Sequence, residues 1–431
     1  MNQFPKVLIV GRGTWTKNES TLSNIFQNYN HDALSYIYIE TLKPDTDCCN
    51  LFFQISEFSL IKRIFNKKVI TGKKIQIENG NRIDIDKNIA KKEQNVMRFI
   101  RAHRSIFFSF MREILWSLNT WKTKELNQFI DEVNPDVVFV VGNHLLLMYR
   151  LHNYVINKAK KPVCILMMDD FYTYKSTYGF FNKIYRYFVR VQVRKLIKKC
   201  SSYFVISNKM KSEYDQIFKI NSKLLTKGID FEKIKFDPKK AELPIKMVYM
   251  GKMIYGRYYS LRNLVKSLKE LNKDEIKAQL YIYTSDRVTD KQKKELEILN
   301  ISFLMPPIPY SEVKDEIKKY DVVVFVESLL KQYKNFARLS FSTKLVDYIA
   351  SSRAIFAIGI NDVAPIEYLK ENDMAFVAVT KNEIETQLKR MVENIELICK
   401  YSEKAFNCGQ NNHNLKKFNH EVLNTFLELT R

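Results

Sequence analysis

The chain is poor in the residues that bend or break a backbone. Of 431 residues only 11 are Gly and 10 are Pro, which excludes collagen-like repeats and low-complexity content. Six Cys are present, Cys48 and Cys49 adjacent and the others scattered. They lack metal-site spacing and read as free thiols in a reducing cytoplasm. No apolar run reaches the about 18 residues that suggest a membrane span. The opening MNQFPKVLIVGRG starts a strand and does not read as a signal peptide. Acidic residues are the remaining shortage: 47 against 70 Lys and Arg, a formal charge of +23. Such a field attracts nucleic acid, anionic lipid or anionic small substrates.

What is present is globular. Hydrophobic content of 46% with 13% aromatics excludes a disordered chain, and the length exceeds one ordinary core, so two domains are expected. Strand and helix patterns alternate to about residue 225 and again from 245. Asp237-Pro238 to Pro244 is polar and Pro-punctuated, a linker between them. The pattern divides into residues 1–236, with 411–431 packing back on them, and 245–410.

The most informative stretch is Asp321–Gly359. Asp321 to Val326 is a β-branched run, the mark of a buried strand, and Glu327 follows at its C-terminal end, where open α/β sheets bind ligands. A loop through Ser340 then opens a helix at Ser342 or Thr343. Unpaired backbone N–H groups there favour an anion. The hydroxyls of Ser340, Ser342 and Thr343 and the charge of Lys344 add to it, and Asp347 one turn on could accept from a sugar diol. A capped surface helix would show the same residues.

SFSTKLVDYIASSRAIFAIG resembles the P-S-K-L-x-E-Y-L-A-x-G-x-P-V-I-A signature of GT-B glycosyltransferases, the type grouped as glycosyltransferase family 4. The resemblance implies an α/β fold of two Rossmann-like parallel-sheet domains facing across a cleft. It also implies sugar transfer, with retention, from a nucleotide-sugar donor. Asp347 stands at the second position of the family's Glu-x7-Glu pair, which holds the nucleotide ribose; Leu339 stands at the first. Gly251-Lys252 and Tyr255-Gly256-Arg257 resemble the family's Y-x-G-R opening, which carries donor-diphosphate roles to Lys252 and Arg257. Leu225-Thr-Lys-Gly-Ile-Asp230 resembles its N-G-I/V-D turn, with Lys227 in place of Asn.

The first half is less explicit. Gly11 and Gly13 follow the first strand, where a backbone can approach a ligand closely or simply turn. His144 follows the strand Pro135–Gly142, and Asp169 and Asp170 end the strand Pro162–Met168. By the resemblance these three are the catalytic candidates of a cleft; helix capping is the plainer reading of the two aspartates. Met97–Trp116 reads as a helix with Arg98, Arg101, Arg104 and Arg112 on one arc and Phe99, Ile100, Phe107, Phe110, Met111 and Ile114 mostly opposite. Residues 181–199 place Arg186, Arg190, Arg194 and Lys198 on one stripe, beside Tyr185, Phe188, Val189, Leu196 and Ile197. No acidic residue lies between Asp170 and Glu213. Helices 97–116 and 181–199 therefore fit an anionic inner-membrane surface.

The expected protein moves a sugar from a nucleotide-sugar donor to a saccharide or lipid-linked acceptor in bacterial cell-surface polysaccharide synthesis. It would be cytoplasmic, attached peripherally to the inner face of the membrane, and would use no metal and no cofactor beyond the co-substrate. Two alternatives stay open. One is a nucleotide-sugar 2-epimerase of the same architecture. The other is a non-catalytic protein that binds nucleic acid or an anionic surface, although no nucleic-acid-reading module is recognisable.

Overall fold

The computed structural model describes residues 4–16, 20–77, 106–173 and 179–431. They form two compact units, Met1–Leu225 with Lys417–Arg431 and Thr226–Lys416.

The strands of the first unit are Val7–Val10 (β1), Leu34–Tyr38 (β2), Leu51–Ile55 (β3), Gly72–Gln76 (β4), Val137–Val141 (β5), Val163–Met167 (β6), Ser202–Val205 (β7) and Lys223–Leu224 (β8). They form one sheet in the order β4-β3-β2-β1-β5-β6-β7-β8. All pairs are parallel except β3 with β4. The apolar runs explain the centre: β1 and β5 are buried along their whole length, as strands covered on both faces must be. Val7 registers with Val137 and Val10 with Val140, and β6 follows β5. Gly11, His144 and Asp169 thus lie beyond the C-terminal ends of three neighbouring strands.

The described residues of this unit also form the helices Ser20–Phe26 (α1), Glu57–Phe65 (α2), Ile106–Ser117 (α3), Lys124–Val133 (α4), Leu146–Ala159 (α5), Phe180–Ile197 (α6) and Asn208–Phe218 (α7). The C-terminal helix, Leu415–Thr430, supplies Phe418, Val422 and Phe426 to the same core. Phe426 lies 6.4 Å from Phe26 and 6.0 Å from Phe139, ring to ring.

Helix α3 faces the opposite way to the simple expectation. Of its expected basic arc, Arg98, Arg101 and Arg104 fall outside the described residues. Arg112 points inward and forms a two-pronged bond to Glu57 at 2.8 and 2.9 Å, and Trp116 Nε1 donates to the same carboxylate at 3.0 Å. Glu113 is also buried, accepting from the Leu147 amide at 3.0 Å and the Tyr185 hydroxyl at 3.2 Å. The apolar arc of Phe110, Met111 and Ile114 is the exposed one. Partners supplied by other elements decide which face goes in, because a buried carboxylate demands them.

The basic stripe of α6 is divided too. Val189, Val193, Leu196 and Ile197 enter the core. Arg190 and Arg194 stack over the Tyr172 ring at 5.0 and 5.5 Å. Arg186 and Arg190 are half-buried, while Arg194 and Lys198 are exposed.

The second unit has the strands Ile245–Met250 (β9), Ala278–Tyr283 (β10), Ser302–Met305 (β11), Val322–Val326 (β12), Ala354–Ile358 (β13) and Phe376–Ala378 (β14). Their order is β11-β10-β9-β12-β13-β14, and every pair is parallel. The chain reverses direction across the sheet between β9 and β12. That switch point is where open α/β sheets leave a crevice at their C-terminal edge. The helices are Arg257–Leu271 (α8), Asp290–Leu296 (α9), Val313–Ile317 (α10), Lys334–Ala337 (α11), Thr343–Ile349 (α12), Ala364–Glu371 (α13), Lys381–Glu393 (α14) and Glu396–Asn412 (α15). The pattern over 382–401 reads as one helix; the structure breaks it after Glu393 into α14 and α15.

Arg112→Ala leaves Glu57 buried without its cation and is expected to cost about 3 kcal/mol of stability. Urea denaturation of the two proteins checks it. A loss below about 1 kcal/mol, the scale of a surface pair, would mean that the ion pair does not set the inward face of α3.

Candidate functional site

The site is built where β9 and β12 end. After β9 the loop Gly251–Gly256 is tied down by the Tyr249 hydroxyl, which donates to the Lys252 carbonyl at 2.7 Å. The Met253 amide donates to the Asp286 carboxylate at 2.6 Å. Gly256 closes the loop at φ +80°, and a Cβ there would meet Ser328 Oγ and the Tyr333 ring at 2.4 Å. Only glycine accepts both constraints. The turn starts α8 at Arg257 and aims its side chain at Glu327.

Glu327 is buried at the end of β12 and receives Arg257 through three contacts of 2.9 to 3.2 Å. Burial raises the Glu327 pKa, and the guanidinium opposes that rise. Arg257 and Glu327, both expected to bind the donor directly, are therefore committed to each other in this state.

The remaining charges come from α12. Leu345, Val346, Tyr348 and Ile349 are buried and anchor the helix. Tyr348 donates to the Met250 carbonyl at 3.3 Å, and Lys344 Nζ reaches the same oxygen at 3.4 Å. Lys344 lines the cleft and keeps part of its surface in solvent. Lost hydration lowers its pKa, and repulsion from Arg257 and Lys252 lowers it further, against weaker attraction from Asp286 and Asp347. No carboxylate hydrogen-bonds it among the described residues.

Asp347 carries a partner that the sequence motif does not predict. Lys227 Nζ lies 2.5 Å from Asp347 Oδ1, and both side chains are largely buried. The same ammonium lies 3.4 Å from the Tyr310 hydroxyl. The available signal was the Lys in a turn where Asn is usual. Leu339, which the motif resemblance sets at the place of a Glu, is wholly buried. Ser340 and Thr343 are half-buried, and Ser342 occupies the N-cap of α12 without a side-chain cap bond.

Lys252, Lys344, Asp347 and Tyr348 line a cleft of about 230 Å³ together with Gly251, Tyr283, Thr284, Pro307, Ile308 and Tyr310, whereas Arg257, Glu327, Ser340, Ser342 and Thr343 are not part of its lining. β11, which leads to Pro307 and Ile308, lies two strands from β9. At about 4.8 Å per strand that is about 10 Å. The cleft thus has cations at one strand end and an apolar Pro-Ile step farther along. A larger hollow of about 900 Å³ also touches Tyr310 and Asp347 but includes neither Lys252 nor Lys344.

In the first unit the structure sorts the candidates. His144 and Asp169 are exposed at adjacent strand ends. Asp170 is tied up locally: it accepts from the Tyr172 and Thr173 amides at 3.0 and 2.7 Å, from the Thr173 hydroxyl, and from the Tyr214 hydroxyl at 3.1 Å. It closes the loop after β6. Gly11 is pressed against Tyr36, whose hydroxyl a Cβ would meet at 2.5 Å; that hydroxyl donates to the Gly13 carbonyl at 2.6 Å. Gly11 therefore has a packing reason to be where it is, whereas a Cβ on Gly13 would meet nothing closer than 3.9 Å.

No family model matches the sequence, and no curated protein is similar to it at a significant level. Solved structures are similar over nearly the whole chain. HepE of Anabaena in complex with UDP-glucose superposes with a TM-score of 0.61 at 10% identity, covering 98% of this chain and 100% of that one. S. aureus TarM in complex with fondaparinux, alpha-GlcNAc-glycerol and UDP gives 0.58 at 11%, covering 98% and 99%. A putative UDP-N-acetylglucosamine 2-epimerase from Listeria monocytogenes gives 0.51 at 10%, covering 97% and 95%. The fold is that of GT-B glycosyltransferase structures: two α/β units, each on its own parallel sheet.

A lysine with a lowered pKa exposes its neutral amine at lower pH than its neighbours. Acylation followed by mass spectrometry should give Lys344 a half-labelling pH below the about 10.4 of an ordinary lysine, and added pyrophosphate should raise it. A half-labelling pH equal to that of other surface lysines would sink this account of the charge cluster.

Proposed function

We propose that this chain is a glycosyltransferase that moves a sugar from a nucleotide-sugar donor to a saccharide or lipid-linked saccharide acceptor. The observation that carries this reading is the pair of cations at the switch-point cleft, Lys344 and Lys252. Both line the cleft at the end of β9, and Lys252 and Arg257 both repel Lys344. A nucleoside diphosphate is an anion of suitable length. Its phosphates would lie against the two lysines and its base near Pro307 and Ile308. Asp347 Oδ2, the oxygen that Lys227 does not hold, would accept from a ribose hydroxyl. Neighbouring structures were solved with UDP or UDP-glucose, which supports this class of donor.

The chemistry follows from the charge. As the glycosidic bond to the diphosphate breaks, negative charge builds on the leaving oxygen, and fixed cations stabilise it more in the transition state than in the ground state. Lys252 and Lys344 supply that stabilisation. Arg257 is a positioning residue, held by Glu327 behind them. In a same-face route the leaving phosphate takes the acceptor hydroxyl's proton, so retention would require no nucleophilic carboxylate. The reading calls for no cofactor beyond the nucleotide sugar and no metal. His144 and Asp169 are the first-unit groups we assign to the acceptor side. The setting is bacterial surface-polysaccharide synthesis on the cytoplasmic side, with the acceptor presented at an anionic membrane.

The test is a thermal-shift panel of nucleoside diphosphates and nucleotide sugars on wild type, Lys344→Ala and Lys252→Ala. A ligand at 100 times its Kd stabilises by about 2.7 kcal/mol, which for a unit of this size is a rise of about 5 to 10 °C. Both variants should lose most of it. If no nucleotide stabilises the wild type, the donor site is wrong. Isomerised sugar nucleotide formed without acceptor would favour the epimerase reading instead.

A further inference from the structure

We propose that the exposed faces of α3 and α6 together form one surface that inserts apolar side chains into an anionic bilayer. This deepens, and rests on, the membrane-held acceptor of the preceding section. It moves the contact from a basic stripe to an apolar patch with a cationic border.

The two helices expose what a soluble helix normally hides. On α3, Phe110, Met111 and Ile114 are outside, Ile114 at 56% exposure. On α6, Phe180 and Phe181 are 72% and 59% exposed, and Phe188 is half exposed. At about 100° per residue these positions fall on one arc of each helix, opposite Val189, Val193 and Leu196, which enter the core. The arcs are continuous in space: the Phe110 ring lies 6.4 Å from Phe181, and Phe181 lies 5.8 Å from Phe180. A contiguous aromatic and aliphatic patch of this kind marks an interaction site.

Charge selects the partner. Lys183 lies exposed beside the patch, and Lys195 and Lys198 continue the exposed side of α6 beyond it. Neither helix has an exposed carboxylate: α6 contains none, and Glu113 of α3 is buried. Apolar side chains with cationic neighbours match the acyl boundary and the anionic headgroups of a membrane interface. A second copy of the chain suits it poorly, because a two-fold contact would set one cationic border against another. No described helix is long and apolar enough to cross a membrane, so the contact would lie in the interface.

Co-sedimentation with vesicles tests this. The full chain should bind vesicles of mixed phosphatidylcholine and phosphatidylglycerol and bind phosphatidylcholine alone weakly. The triple variant Ile114→Ser/Phe180→Ser/Phe181→Ser should bind the mixed vesicles at least about tenfold more weakly. Its nucleotide-induced thermal shift should be unchanged, which separates failure here from failure of the donor site and shows that the variant is folded. In Phe181→Trp, brominated acyl chains should quench the added indole fluorescence. Absence of vesicle binding by the wild type would overturn the proposal, as would binding that survives the triple substitution or an unquenched indole. So would self-association or oligonucleotide binding that the triple substitution abolishes, because the patch would then have another occupant.

Discussion

Positive charges crowded at the ends of β9 and β12 are the constraint on which the second unit depends. Lys252, Arg257 and Lys344 repel one another, and folding brings them together regardless. One carboxylate limits the cost, because Glu327 holds Arg257; a second, Asp347, is already engaged by Lys227. The third, Asp286, is tied to a backbone amide. Lys344, with Lys252 beside it, keeps only the weaker attraction of Asp286 and Asp347. The left-handed turn at Gly256 and the hydroxyls of Tyr249 and Tyr348 keep these groups from relaxing apart. A site that stores repulsion in this way gains from an anion what it lacks alone, a preference expressed by geometry fixed in advance.

The second unit was the more legible because its signal is local. Ser342, Lys344, Asp347 and Tyr348 lie within two helical turns, and helical spacing alone places Lys344 and Asp347 off the buried face. Partner choice was the illegible part. Arg257 meets Glu327 across a gap of 70 residues, and Lys227 meets Asp347 across 120. No periodicity reports such pairings, so the residues could be named but not their engagements. The alternation of strand and helix was readable in both units; boundaries moved where a cap intervened, as at the break after Glu393.

Helix α3 shows a different limit. Its sequence defines two arcs, one polar and one apolar, and ordinary amphipathic logic buries the apolar one. The structure buries Glu113 and Trp116 and half-buries Arg112, because Glu57, Leu147 and Tyr185 supply their partners. Satisfied polar groups can enter a core; a periodicity argument prices them as if they could not. The inversion also explains why the exposed face is apolar without being a folding defect: α3 is anchored by its inward hydrogen bonds and by buried Leu115 and Trp116, which leaves the outward arc open for another use.

Leu339, which the motif resemblance sets at a glutamate position, can be weighed on the same terms. A glutamate at that position would bring a negative charge and a hydrogen-bond acceptor to the loop that opens α12. A buried leucine brings neither, and Lys227 adds a cation near Asp347. Both departures push the local balance toward holding an anion, with less of the recognition energy left for the sugar. A donor would then be gripped chiefly by its diphosphate and base. Sugar selectivity would have to come from groups other than this pair, and the affinity for a nucleoside diphosphate should approach that for the intact donor. That ordering is the physical consequence of exchanging a carboxylate for an aliphatic side chain at a cationic strand end.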